Sequence, residues 1–173
     1  MMKRLMSTAL LGCSLALFTS LAPAADGMVR SDRNFMEQAA QNGHAEVEAA
    51  KLAQSKSANE KVKAFAAQMQ QDHTKTNEEL TALAASKNIQ LPTEPSAVQK
   101  SKAKAMSALD GERFDRQYAD EMGIKAHEDT IKMFQKAALG AKDPDVKAFA
   151  AKTLPALEGH LKMSRDLRAS LGK

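Results

Sequence analysis

Only one cysteine and no tryptophan occur in the 173 residues, with a single tyrosine and aromatic side chains at 4%. Cys13 lies inside an N-terminal apolar stretch, so the chain beyond it can form no internal disulfide and offers no thiol nucleophile. Glycine and proline are also sparse, at 8 and 5 residues, and no run alternates apolar and polar positions as a half-buried strand does. The sequence lacks a Gly-x-Ser-x-Gly elbow, a phosphate-cradling loop and a dinucleotide fingerprint, which removes support from three large enzyme classes. It also lacks a long Lys/Arg block interleaved with aromatics, so nucleic acid is not an expected partner.

What is present at the N-terminus has the pattern of an export signal. Lys3 and Arg4 make a positive start, Leu5 to Leu21 is apolar, and Ala22-Pro23-Ala24 supplies small residues at the −3 and −1 positions of a cleavage site. Residues 1–24 are therefore expected to be a cleaved secretory signal peptide, residues 25–31 a flexible lead-in, and residues 32–171 the folded domain. Leu10-Leu11-Gly12-Cys13 offers a second reading, a lipoprotein anchored at Cys13. Cleavage there would leave an apolar tail at Ser14–Leu21, so the later site fits better. The expected location is periplasmic or secreted, with no integral membrane span once the signal is removed. Loss of Lys3 and Arg4 changes 25 basic against 21 acidic residues to 23 against 21, so the mature charge is close to neutral.

Beyond the signal the dominant feature is a repeat. Val62-Lys63-Ala64-Phe65-Ala66-Ala67 recurs unchanged as Val146-Lys147-Ala148-Phe149-Ala150-Ala151. A repeat on this scale indicates one helical hairpin used twice, hence a four-helix bundle. Apolar spacing predicts helices over about 32–54, 59–87, 112–139 and from Pro144 onward. Asp143-Pro144 is the sharpest start, a capping Asp followed by Pro at the first helical position. Ser31 or Asp32 is the expected cap of the first helix, and Pro155 is expected to kink or divide the last one near Lys152. The Leu91-Pro92-Thr93-Glu94-Pro95 breaker, then a short helix over about 97–109, makes a link long enough to cross the bundle.

All four histidines fall near mid-helix. His44, His73, His127 and His160 each sit three or four residues from apolar or small stripe positions, and counting from the two hairpin turns places them at similar heights. Neutral imidazole is the commonest side-chain ligand for transition metals, and a bundle core can take one ligand from each helix. The four are accordingly the candidate metal ligands, for Zn²⁺, Cu²⁺ or Ni²⁺. Glu48, Asp72, Glu128 and Glu158 lie near enough in sequence to orient an imidazole, though Asp72 and Glu128 adjoin their histidines and so point about 100° away on the helix.

The spacing of Gly43-His44-Ala45-Glu46-Val47, Val62-Lys63-Ala64-Phe65-Ala66, Asp72-His73, Leu91-Pro92, Gly111-Glu112-Arg113-Phe114 and Leu154-Pro155 with His160-Leu161 resembles domain of unknown function 4142. The likeness spans nearly all of residues 33–168. That resemblance implies a ferritin-like bundle outside the cytoplasm and supplies no reaction. The fold expected is all-α: two helical hairpins joined by a crossover that contains a short extra helix. Three functions fit: an exported binding or stress-related protein of the bacterial envelope, a metal-binding bundle, and a ferritin-like redox enzyme. The last is disfavoured. Ferritin-like di-iron sites use Glu-x-x-His on two helices, whereas Gln70 and Leu157 stand at the matching places here. No catalytic residue is assigned.

Overall fold

A computed structural model describes residues 28–172, so the signal and lipoprotein readings lie outside the described residues. The helices are α1 (Arg30–Lys56), α2 (Glu60–Ser86), α3 (Ala97–Ser107), α4 (Gly111–Gln117), a π-helical segment (Tyr118–Lys125), α5 (Ala126–Gly140) and α6 (Pro144–Ser170). No strand occurs among the described residues.

Local chemistry sets most of the boundaries. Asp143 Oδ1 accepts from the backbone N–H groups of Asp145 and Val146 at 2.9 and 3.1 Å, with Pro144 at the first helical position. Ser96 and Gln99 form a reciprocal capping box on α3. Asn88 takes the left-handed conformation just past α2 at φ 56°. Gly111 does the same at φ 53°, where the link turns into α4.

Two expectations about helix ends are corrected. The first helix starts at Arg30, and neither Ser31 nor Asp32 caps it. Buried Asp32 instead reaches across the molecule, and its Oδ2 accepts from the N–H groups of Lys142 and Asp143 at 2.8 Å each. Pro155 does not divide the last helix, which runs unbroken from Pro144 to Ser170. The carbonyl left without its donor is that of Ala151. Both residues are on the exposed face, where water can donate to it.

Named contacts fix the topology. Asp32 ties the start of α1 to the α5–α6 turn, and Lys87 pairs with Asp143 and Asp145 at 2.8 Å, joining the end of α2 to the start of α6. At the opposite end, Lys56 pairs with Asp110, the residue just before α4. The segment from Lys87 to Asp110 therefore traverses the bundle's length, and α2 runs parallel to the α4–α5 arm. An up-down-up-down bundle would not place these ends so. The chain is an all-α, ferritin-like bundle of two hairpins with one crossover.

The core is divided in two. One apolar cluster includes Phe35, Met36, Leu80, Phe134, Val146, Phe149 and Ala150; the other includes Val62, Phe65, Ala66, Met69, Phe114, Tyr118 and Leu167. The two copies of the repeated hexapeptide thus serve opposite ends, each burying its Val, Phe and second Ala. Between them lies a polar stratum.

Candidate metal centre in the bundle core

That stratum contains His73 from α2, His127 from α5 and His160 from α6, all buried. Their ring centroids form a nearly equilateral triangle with sides of 5.2, 5.4 and 5.4 Å. One ligating nitrogen from each lies within 4.8 Å of the others. The Nε2 atoms of His73 and His127 are 3.3 Å apart. Two nitrogens sharing a tetrahedral metal at bonds of 2.0–2.1 Å are separated by about 3.3 Å.

Hydrogen-bond partners determine which nitrogens are free. His127 Nδ1 lies 3.0 Å from the Met122 carbonyl, which can only accept. Nδ1 therefore carries the proton, and Nε2 presents its lone pair to His73. His160 Nε2 lies 2.9 Å from Asp72 Oδ2, so that nitrogen donates to the carboxylate and Nδ1 holds the lone pair. Buried His160 Nδ1 has no hydrogen-bond partner. A buried acceptor with nothing to accept from is costly, and a bound cation would supply the missing partner. Asp72 of α2 thus orients an imidazole on α6, pointing away from its own neighbour His73.

The electrostatics keep two of the rings neutral. Burial holds His73 well below the ordinary imidazole value, and the neighbouring His127 and His160 push it further down. Burial and the adjacent His160 lower His127 to about 4, partly opposed by hydrogen bonds to the Met122 and Gly123 carbonyls. Neutral rings at neutral pH are the ligating form.

The π-helical segment positions this ring. Its wider winding puts the Met122 carbonyl under His127 Nδ1, five residues on, and aims Gly123 at α6. A Cβ on Gly123 would stand 3.0 Å from Ser164 Cβ, so the glycine permits the close approach that brings His160 toward His127. Ser164 in turn donates to the His160 carbonyl at 2.7 Å.

His44 does not join the cluster. It is half-buried on α1, which turns Gly43 and Glu46 toward the centre instead; His44 stands one residue, about 100°, past Gly43. Glu48 and Glu158 are exposed, and Glu128 pairs with Arg165 at 2.8 Å on the surface. Glu46 is the residue sequence reasoning passed over. It is 6% exposed, its Oε1 lies 3.9 Å from His127 Nδ1, and burial pushes its carboxyl up to about 8. The signal was available: Ala39, Gly43, Glu46, Ala50 and Ala53 make one continuous stripe on α1. Glu46 flanks the proton-bearing side of His127, so it sits outside the set of nitrogens that face one another.

An all-α bundle whose two apolar cores are parted by a buried three-imidazole cluster is the class that fold and site define. The chain belongs to the family described as domain of unknown function (DUF4142), whose model matches residues 18–167. No curated protein matches it. Among solved structures it is similar to a DUF305 fragment from Deinococcus radiodurans, at 18% identity and TM-score 0.70, over 84% of this chain and 97% of that one. It is also similar to a conserved hypothetical protein from Mycobacterium tuberculosis, at 12% identity and TM-score 0.54, over 80% of this chain and 91% of that one. At these identities the likeness concerns the fold alone.

Proposed function

We propose that this protein is an exported bundle that binds one transition-metal ion through His73, His127 and His160. The observation that carries the reading is a triangle of buried imidazoles in which one nitrogen of each ring lies within 4.8 Å of the others and His160 Nδ1 has no hydrogen-bond partner. An all-nitrogen set suits Zn²⁺, Cu²⁺ or Ni²⁺. It does not suit a carboxylate-bridged di-iron centre, because the carboxyl groups of Asp72 and Glu46 lie against the proton-bearing nitrogens of His160 and His127 and not among the nitrogens that face one another. Export rests on the charged, apolar and small-residue pattern of residues 1–24.

The test is metal analysis and titration calorimetry on mature protein made without an affinity tag. One ion per chain is expected. His73→Ala, His127→Ala and His160→Ala should each abolish stoichiometric uptake, whereas His44→Ala should retain it. If all four variants bind as the parent does, or the parent binds nothing, the histidines are structural and the protein acts through its surface. Export is checked separately by N-terminal sequencing of the mature chain, expected to begin at Ala25.

A further inference from the structure

Three protein nitrogens leave a tetrahedral metal one position short, and the structure holds a space for what fills it. A cavity of about 20 Å³ borders His73 and His127. That is room for about one water, which needs roughly 10–15 Å³. His160 does not line it, so the space lies on the His73–His127 side of the triangle. Its remaining wall includes Gly43, Glu46, Thr76 and Asn77.

The wall offers both donors and acceptors: the Asn77 side-chain amide brings N–H groups, and two of the hydroxyls bring lone pairs. Thr76 Oγ1 donates to the Asp72 carbonyl at 2.9 Å, and Thr153 Oγ1, also in the lining, donates to the Phe149 carbonyl at 2.8 Å. With their protons committed, both hydroxyls have only lone pairs left to offer. A wall that mixes donors with acceptors suits water, which both donates and accepts, over a bare anion, which only accepts. A single layer of side chains parts the cavity from a groove open to solvent. Asn42, Glu46 and Thr130 line both it and an open groove of about 410 Å³ between α1, α3 and the π-helical segment. Asn42 holds that wall together, donating to Thr130 at 3.2 Å and accepting from Gln99 of α3 at 2.8 Å.

We infer that the metal's fourth ligand is a single exchangeable water confined in this chamber, making the centre an open site rather than a closed structural one. The inference rests on the three-histidine reading and adds the class of exogenous ligand, a hydrogen-bearing molecule of water size. Open sites with three protein ligands and one water are the arrangement that metal-assisted chemistry needs.

The experiment is electron paramagnetic resonance of the untagged mature protein loaded with Cu²⁺, in ordinary and oxygen-17-enriched water. Coupling to oxygen-17 is expected in the parent, with copper at one per chain. Thr76→Leu, which fills the chamber from a half-buried position, should lose the coupling and keep the copper; Asn77→Leu on the same wall is the second filling variant. Thr76→Val keeps the volume and should keep the coupling. Copper bound by the three histidines with no oxygen-17 coupling in the parent overturns the water position alone. Coupling that survives both filling variants overturns its placement in this chamber. A parent that takes up no copper overturns the metal reading and this one with it.

Discussion

At the residue scale, two acidic groups flank the imidazole triangle without being part of it. Asp72 accepts from His160 Nε2 at 2.9 Å and so selects the tautomer whose Nδ1 is free. Asp72→Ala is expected to weaken metal binding by roughly 10–100-fold without changing stoichiometry, read by calorimetry. Glu46 acts through burial. Its folded carboxyl is raised to about 8 from an ordinary 4.5, so its contribution to stability is full below 4.5 and lost as pH rises through 8. His127 has the opposite sign. Lowered to about 4 from 6.5, it contributes fully above 6.5 and loses that contribution as pH falls toward 4. The interval from 6.5 to 8 therefore isolates Glu46 from His127. In metal-free protein the melting temperature should fall across this interval, and Glu46→Gln should flatten it. An unchanged slope in that variant would show that Glu46 ionises no differently in the folded chain.

At the element scale, the π-helical segment is the part composition could not foretell. Tyr118–Lys125 reads as ordinary helix because its wider winding is imposed from outside, by the packing of Gly123 on Ser164 and the demand of His127 for the Met122 carbonyl. Gly123→Ala should cost about 1–3 kcal/mol by overpacking, seen in denaturant melts, and should loosen metal binding by moving α6 away from His127. Gly123→Ala with Ser164→Gly removes the clash and should recover part of both losses; strict additivity would mean the two positions do not meet. Local signals fared better. Asp143-Pro144 carries its mechanism in sequence, and α6 begins where it says. Asp32 was misread because its partners, Lys142 and Asp143, are 110 and 111 residues away. His44 was misread by one residue of helical phase: Ala40 and Val47 flank a stripe whose centre runs through Gly43 and Glu46.

At the scale of the whole molecule, the repeated hexapeptide made the bundle legible, and the long link made its crossover legible. The division of the core into two apolar ends was not, since it needs the helices set side by side before the polar stratum is visible. No helix among the described residues is long and apolar enough to cross a membrane. An ion in the stratum would pin α2, α5 and α6 together, so binding and folding are coupled. At a free metal concentration 100 times the dissociation constant, stabilisation should be about 2.7 kcal/mol, which for a domain of this size raises the melting temperature by roughly 5–11 °C. The same addition should leave the His127→Ala melt unmoved. The most direct measurement is anomalous diffraction at the metal edge from crystals of the loaded, untagged protein. One peak per chain is expected, bonded at about 2.0–2.1 Å to nitrogens of His73, His127 and His160. A peak at His44 or on the surface, with the three buried rings still bonded only to one another and to protein, would contradict it.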